Sequence, residues 1–450
     1  MSCLGLLQYL VLHPQCHVLF KCNSVDSTCR YQIKLNSTLL TDKKTTEKKL
    51  FTPGPLTTSP TVRQAALTEY GSRDVAFVAA IKTIRSKLVE VAGVSEKDFT
   101  CVPIQGSGTF AVEAVFQTAV PRKGGKALIL ENGAYGKRMA KICEIIGIPY
   151  QLESFPEDSK VDLKRVTDIL SRDKSFTIVG VIHCETSSGV INPVEEVGKI
   201  LKQNIPDCVY FVDAMSSFGA VPLDLVNGNI DFVVSSANKC LQGIPGFSYA
   251  VAKLSKLKNC KGNSRSLSLD LYDQYDSFEK TSQFRFTPPT HTMLAFIQAL
   301  KEFEQEGGVA GRGKRYKENR DILKKGMKEL GFEEFLDNSH EGFIITSFKF
   351  PQHRNWDFNK FYSMLNDRGF VIYPGKVLNA DCFRIGNIGH LFPGDIKALN
   401  LITFILISES LQNILCNGNM TLQIFFYNDN VNVISGERAC IFRISGVMTA

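Results

Sequence analysis

Lys239 sits in the run Ser-Ser-Ala-Asn-Lys-Cys-Leu-Gln-Gly, downstream of the run Tyr-Phe-Val-Asp213-Ala-Met-Ser-Ser. A lysine amine can condense with an aldehyde to form a Schiff base. Once displaced, the same amine can act as a base. An acid at the end of an apolar strand can pair with a protonated ring nitrogen and keep it protonated, so that the ring accepts electrons from a carbanion. The pair therefore suits amine chemistry on a heteroaromatic aldehyde. One lysine alone would carry little, because the chain holds 52 Lys and Arg residues. The reading depends on further groups arriving in the right order.

They do arrive. Gly106-Ser107-Gly108-Thr109 joins a strand to a helix, where free N–H groups and two hydroxyls make an anion cup. Tyr135 follows Asn-Gly-Ala at the end of the next strand and could stack on a flat ring. His183-Cys-Glu185-Thr186-Ser-Ser-Gly ends another strand. Thr186 could reach a phenolic oxygen there, whereas His183 and Glu185 read as structural polar groups. Ser216 can add a hydrogen bond near Asp213, and Asn238 can reach a phosphate. Arg384, in Phe-Arg-Ile-Gly-Asn-Ile-Gly, offers a planar fork for a carboxylate or phosphonate. These groups together specify pyridoxal phosphate (PLP) as the cofactor, with no metal. Cys184 and Cys240 flank the candidate residues and read as small buried hydrophobes rather than reactive thiols.

The elements needed to position these groups are legible. Asp74 to Ala92 has apolar residues at Phe77, Ile81, Ile84 and Leu88, a helical spacing. Strands are expected at 100–104, 126–130, 149–154, 177–183, 209–213, 232–235 and 246–252, with helices between most of them. Nearly continuous apolar strands alternating with helices imply a mostly parallel sheet covered on both faces. Ligands of such sheets sit at the carboxyl ends of the strands, where the candidate residues cluster. From about Thr292 the texture changes to long helices at 293–306 and 312–330. Strands follow at 343–350, 370–373 and 382–385, a smaller α+β unit.

A chain of 450 residues suits two domains, and its 44% hydrophobic and 22% charged content is ordinary for a globular protein. The net charge of +7 is scattered, without a basic arm, so neither nucleic acid nor membrane is indicated as a partner. Thirteen Cys without CxxC pairs point to reduced thiols and an intracellular setting, cytoplasmic or mitochondrial. Residues 1–49 read as an extension, either a targeting segment or disordered. From about Leu401 the tail turns apolar and Asn-rich, with Ile402–Ile407 and Leu422–Phe426 as its apolar runs.

With these residues assembled, the chain resembles the class V, fold-type I PLP-dependent aminotransferases. The resemblance is carried by Leu-Phe-Thr-Pro-Gly-Pro-Leu-Thr-Thr-Ser (50–59), Gln-Gly-Ser-Gly-Thr-Phe-Ala-Val-Glu-Ala (105–114), Asn-Gly-Ala-Tyr-Gly-Lys-Arg (132–138) and the Asp213 and Lys239 runs. Pro-Pro-Thr-His-Thr (288–292) and Phe-Arg-Ile-Gly-Asn-Ile-Gly (383–389) complete it. It implies an α/β fold: a large PLP-binding domain at 50–291, a small α+β domain at 292–400, and an atypical tail at 401–450. It assigns the Schiff-base lysine to Lys239, the ring acid to Asp213 and the phosphate cup to Ser107, Gly108 and Thr109. Substrate binding falls to Arg384 and Gly54. A threonine near the large-domain exit, best matched by Thr292 with Thr290 as the alternative, would reach the phosphate of a neighbouring subunit's cofactor. That implies a homodimer with shared active sites. The implied reaction is amino transfer from 2-aminoethylphosphonate to pyruvate, giving phosphonoacetaldehyde and L-alanine. Alanine–glyoxylate or serine–pyruvate aminotransfer is the alternative in the same group, and an inactive scaffold is the alternative of another class. The chain departs from the family at residues 1–49 and again near Asn400, where the family ends in a helix.

Overall fold

The computed structural model describes residues 18–22, 31–35, 47–354, 356–373 and 380–416. Its contacts divide the chain into two compact units, Lys48–Ile396 and the pair of ends Met1–Glu47 with Lys397–Ala450. In the unit of the two ends, β1 (Val18–Cys22) and β2 (Tyr31–Leu35) pair antiparallel.

The Lys48–Ile396 unit opens with β3 (Lys49–Phe51) and α1 (Pro60–Ala65). Pro60 takes the first helical position, where no N–H is needed, and Ser59 Oγ accepts from Val62 N at 3.1 Å. Helix α2 (Val75–Val91) buries Phe77, Ile81, Ile84 and Leu88, the apolar stripe that its sequence predicts. Then come β4 (Phe99–Gln105), α3 (Gly108–Ala119), β5 (Ala127–Glu131), α4 (Ala134–Ile145), β6 (Tyr150–Ser154), α5 (Leu163–Arg172) and β7 (Ile178–Ile182). A short hairpin of β8 (Cys184–Glu185) and β9 (Val190–Ile191) precedes α6 (Val194–Asn204). The sheet is completed by β10 (Val209–Asp213), β11 (Phe232–Ser236) and β12 (Phe247–Lys253).

The seven sheet strands run in the order β4-β12-β11-β10-β7-β5-β6. All neighbours pair parallel except β12, which is antiparallel to both β11 and β4. Every residue of β5, β7, β10 and β11 is buried, so these strands read as unbroken apolar runs. Phe116 of α3 meets Phe211 of β10 edge to face at 5.5 Å. Because β4, β5, β7, β10 and β11 share one direction, their carboxyl ends share one edge of the sheet, and the loops leaving them build the site.

Two helices that the sequence pattern does not single out follow, α7 (Leu254–Lys258) and α8 (Leu271–Thr281). Then come α9 (Thr290–Gln305), α10 (Gly308–Glu329), β13 (Ile345–Lys349), α11 (Phe358–Asp367), β14 (Phe370–Ile372) and β15 (Cys382–Gly386). β13 pairs with β15, and β14 returns to pair with β3. Phe332, Phe348, Phe361 and Phe383 close this part with ring centroids 5.5 to 6.4 Å apart.

From about residue 400 the sequence turns apolar and Asn-rich and leaves open whether the tail folds. In the structure α12 runs from Pro393 to Cys416. No Gly or Pro interrupts it after Gly394, and Leu and Ile supply good helix formers, so Ile402–Ile407 is helical. Leu422–Phe426 and most of residues 1–49 lie outside the described residues. No helix among the described residues is long and apolar enough to cross a membrane.

Candidate active site

A cavity of about 440 Å3 opens at the carboxyl ends of the parallel strands. Lys239 and Asp213 both line it. Lys239 lies just past β11, and its Nζ donates to Pro53 O at 2.8 Å. Its stem passes so close to Gly54 that a Cβ there would meet Lys239 Cδ at 2.7 Å and Nζ at 2.8 Å. Gly54 has φ +118°, so both space and backbone demand glycine. The predicted substrate-binding Gly54 is thus first a clearance for the lysine. Burial pulls the Lys239 amine down to about 8, with the Cys240 thiol and the Asp213 carboxylate pulling the other way.

Asp213 ends β10 and is buried. Burial raises its carboxyl to about 6, although Met215 N–H donates to Oδ1 at 2.8 Å. Among the described residues no cation stands within ion-pair distance of it. A buried carboxylate without a cation is costly, so this one is set up for a positive partner.

The cup forms where β4 turns into α3. Gly106 takes φ +113°, and its N–H donates to Gly246 O at 3.0 Å. Ser107 caps α3 without a side-chain bond to its own helix, so hydroxyl and first-turn N–H groups remain at the cavity wall. A Cβ on Gly108 would collide with the Met215 Sδ and Cε atoms. Thr109 and Asn238 also line the cavity, and Asn238 Oδ1 accepts from Ser236 Oγ at 3.0 Å.

Tyr135, Thr186 and Ser216 line the same space. Burial raises the Tyr135 phenol, with a hydrogen bond to Thr186 opposing. Ser216 Oγ donates to Cys184 O at 3.0 Å. Glu185 and His183 make hydrogen bonds within the wall. Glu185 Oε2 accepts from Tyr135 N at 3.1 Å and Oε1 from Ser187 N at 3.1 Å, tying α4 to the β8 loop. Burial lifts Glu185 to about 7, with the Ser187 and Tyr135 hydrogen bonds opposing. His183 Nδ1 meets Ser217 Oγ at 3.0 Å, and burial lowers its imidazole to about 4. Cys184 and Cys240 are buried, their thiols pushed up to about 12. That matches small core residues rather than nucleophiles.

Arg384 stands behind this wall. It is 6% exposed, donates from Nη1 to Thr186 O at 2.5 Å, and lies 4.7 Å from the centroid of the Tyr373 ring, which lines the cavity. Its Nε is buried without a hydrogen-bond partner among the described residues. Thr290 and Thr292 open α9, and neither lines this cavity. Thr292 Oγ1 donates to Pro245 O at 3.3 Å, against the Pro245–Gly246 rim. Sequence reasoning missed Arg138, Met215 and Tyr373, all in the lining. Arg138 had a signal: it lies three residues after Tyr135 on one helix, and hence on the same face.

The class-V aminotransferase profile matches residues 63–377. The chain is 48% identical over 355 residues to 2-aminoethylphosphonate–pyruvate transaminase from Vibrio vulnificus (strain CMCP6), covering 78% of this chain and 96% of that protein. The enzyme of the same name from Syntrophobacter fumaroxidans is 49% identical over 351 residues, covering 78% of this chain and 94% of its own. Among solved structures, alanine–glyoxylate aminotransferase from Nostoc sp. superposes with a TM-score of 0.74 at 23% identity, over 83% of this chain and all of that one, which speaks to fold alone. On that identity and coverage, the chain belongs to the class-V aminotransferase family and is built on the fold-type I architecture.

Proposed function

We propose that this chain transfers the amino group of 2-aminoethylphosphonate to pyruvate with PLP as cofactor, giving phosphonoacetaldehyde and L-alanine. The reading is carried by one observation: a half-buried lysine and a buried carboxylate, which among the described residues has no cation in ion-pair reach, share one cavity. The transaminases named for that reaction, nearly half identical along almost their whole length, supply the substrates.

The residues fit the cofactor. Asp213 would hold a protonated ring nitrogen, and Tyr135 would cover a ring face. Thr186 and Ser216 would serve the ring's polar edge, while Ser107, Gly108, Thr109 and Asn238 would hold the phosphate. When bound, PLP supplies an aldehyde for amine capture and a ring that accepts an electron pair. This chain does the rest. An amine held near 8 keeps a useful neutral fraction for nucleophilic attack. Asp213 would stay anionic beside a protonated ring nitrogen, whose charge would offset its burial. Lys239 Nζ, once freed, takes the proton from the substrate carbon that bears the amino group and holds it for return. Arg384, behind the Thr186 and Tyr373 wall with its Nε unsatisfied, would orient the substrate's anionic end once that wall opens to it: phosphonate in one half-reaction, carboxylate in the other. Gly54 keeps the lysine's path clear.

Residues 50–291 then act as the large PLP-binding domain and 292–400 as the small domain. A homodimer in an intracellular compartment, cytoplasmic or mitochondrial, completes the reading. Free cysteines at Cys101, Cys143, Cys184, Cys240 and Cys260 support the compartment. The test is L-alanine formation from 2-aminoethylphosphonate and pyruvate, with Lys239→Ala as control. Turnover abolished by the substitution supports the reading. Turnover with L-alanine and glyoxylate but none with the phosphonate moves the assignment to the alanine–glyoxylate group.

A further inference from the structure

The cup leaves a charge deficit. A phosphoryl group carries close to two negative charges at neutral pH. Ser107, Gly108 and Thr109 offer neutral donors and a helix start worth about half a positive charge. Among the described residues that line the cavity, Lys239 and Arg138 carry the cationic side chains. The Lys239 amine is committed to covalent capture, which leaves Arg138.

Arg138 lies on α4, exposed where it lines the cavity. Its Nη1 donates to Thr109 Oγ1 at 3.3 Å, a long bond to a residue of the cup itself. Its guanidinium carbon lies 4.8 Å from the centroid of the Tyr135 ring. Such stacking fixes the plane of the fork. Among the described residues no carboxylate stands within ion-pair distance of it. Arg165, Arg312 and Arg315, by contrast, are each paired with an acid. A guanidinium held by a ring and a threonine, and lacking an acid, retains donors for another oxyanion.

We propose that Arg138 is a second anion-binding residue of this site, donating to the oxygens of a tetrahedral phosphoryl or phosphonyl dianion. The inference rests on the transaminase reading. Its ligand has two sources with one chemistry, the cofactor's phosphate and the substrate's phosphonate. The Thr109 contact favours the cofactor's phosphate.

The experiment uses full-length apo-protein carrying Arg138→Ala or Arg138→Lys. Each is titrated with PLP and, separately, with pyridoxal, which lacks the phosphate. The 2-aminoethylphosphonate and L-alanine half-reactions are then timed separately at saturating PLP. If Arg138 binds the cofactor's phosphate, Arg138→Ala raises the Kd for PLP at least tenfold and leaves that for pyridoxal unchanged, with the Lys variant in between. If it binds the substrate, PLP affinity holds while kcat/KM for 2-aminoethylphosphonate falls at least tenfold and that for L-alanine does not. Unchanged PLP affinity together with an unchanged ratio of the half-reactions overturns the inference. So does an equal loss for PLP and pyridoxal, because phosphate is then not what Arg138 reads. A wild-type protein inert toward the phosphonate would remove the substrate reading but leave the PLP–pyridoxal comparison as a measure of Arg138.

Discussion

At Asp213 the protein accepts an instability that a cofactor can relieve. Burial lifts the carboxyl from its ordinary range to about 6, and the Met215 N–H and the Lys239 amine only partly oppose it. The folded acid therefore binds protons more readily than the unfolded one. Stability of the apo-protein should fall as pH rises from about 4 to about 6 and be flat above, on this group's account. A shift of about 2 units corresponds to roughly 3 kcal/mol as an upper bound. Asp213→Asn keeps an acceptor for Met215 N–H and removes the buried charge. The variant apo-protein should melt higher than wild type at pH 7, with the gap closing toward pH 4, yet gain little from added PLP. A variant that is less stable at pH 7 would show that the carboxylate is already compensated. Lys239 gives a second pH test. Its amine is neutral only above about 8, so uptake of PLP by the apo-protein should accelerate roughly tenfold per unit below that value and level off above it. Both residues are legible in the sequence, because a strand end and a short run fix where each side chain must appear. Met215 and Tyr373 are not legible, because their place in the wall depends on how separate loops meet across the cavity.

Elements make those loops meet, and Glu185 joins two of them. It accepts from Tyr135 N at the start of α4 and from Ser187 in the β8 loop, whose Thr186 carbonyl in turn anchors Arg384. Gly133 makes room for this, since a Cβ there would lie 2.5 Å from Glu185 Cγ. Glu185→Ala strands buried N–H donors at about 1–3 kcal/mol each, so urea unfolding of the apo-protein should show a loss of about 2–4 kcal/mol. PLP affinity should fall with it, as Tyr135 loses its backbone anchor; full stability would mean that water replaces the carboxylate. The strands of the sheet are readable because burial on both faces leaves nearly unbroken apolar runs. The reversed direction of β12 is less plain. Residues 237–246 between β11 and β12 hold no helix, too little for a parallel crossover, so the strand returns antiparallel. Helix α8 escapes notice because its buried stripe is thin, with only Leu271, Gln274 and Phe278 inward among acids and tyrosines. The continuation of α12 to Cys416 escapes because Asn-rich composition suggests loop, whereas the absence of Gly and Pro lets the helix run on.

On the scale of the whole molecule, the proposed homodimer gives Thr290 and Thr292 their purpose. They start α9 without lining the cavity of their own chain, Thr292 packing against the Pro245–Gly246 rim. Between them His291 Nδ1 meets Ala66 O at 2.8 Å, which brings the end of α1 alongside. There Leu67 is 71% exposed; Phe286, a few residues before Thr290, is 44% exposed, and Phe110 beside the cup is 49% exposed. Contiguous bare apolar side chains would mark a surface that a partner covers. In the proposed homodimer, a second copy of the chain would cover them and deliver a threonine to the other cup. Leu67→Asp tests this without touching the cavity, since an exposed position tolerates the change within the fold. Sedimentation of the wild type at micromolar concentration should give a dimer. The variant should dissociate about a hundredfold more readily, roughly 3 kcal/mol, as a buried charge at an interface demands. Its PLP affinity should then depend on protein concentration, weak when dilute and recovering when concentrated, because the phosphate regains its contact only in the dimer. A wild type that sediments as a monomer and still binds PLP tightly would leave both threonines without a role in the site.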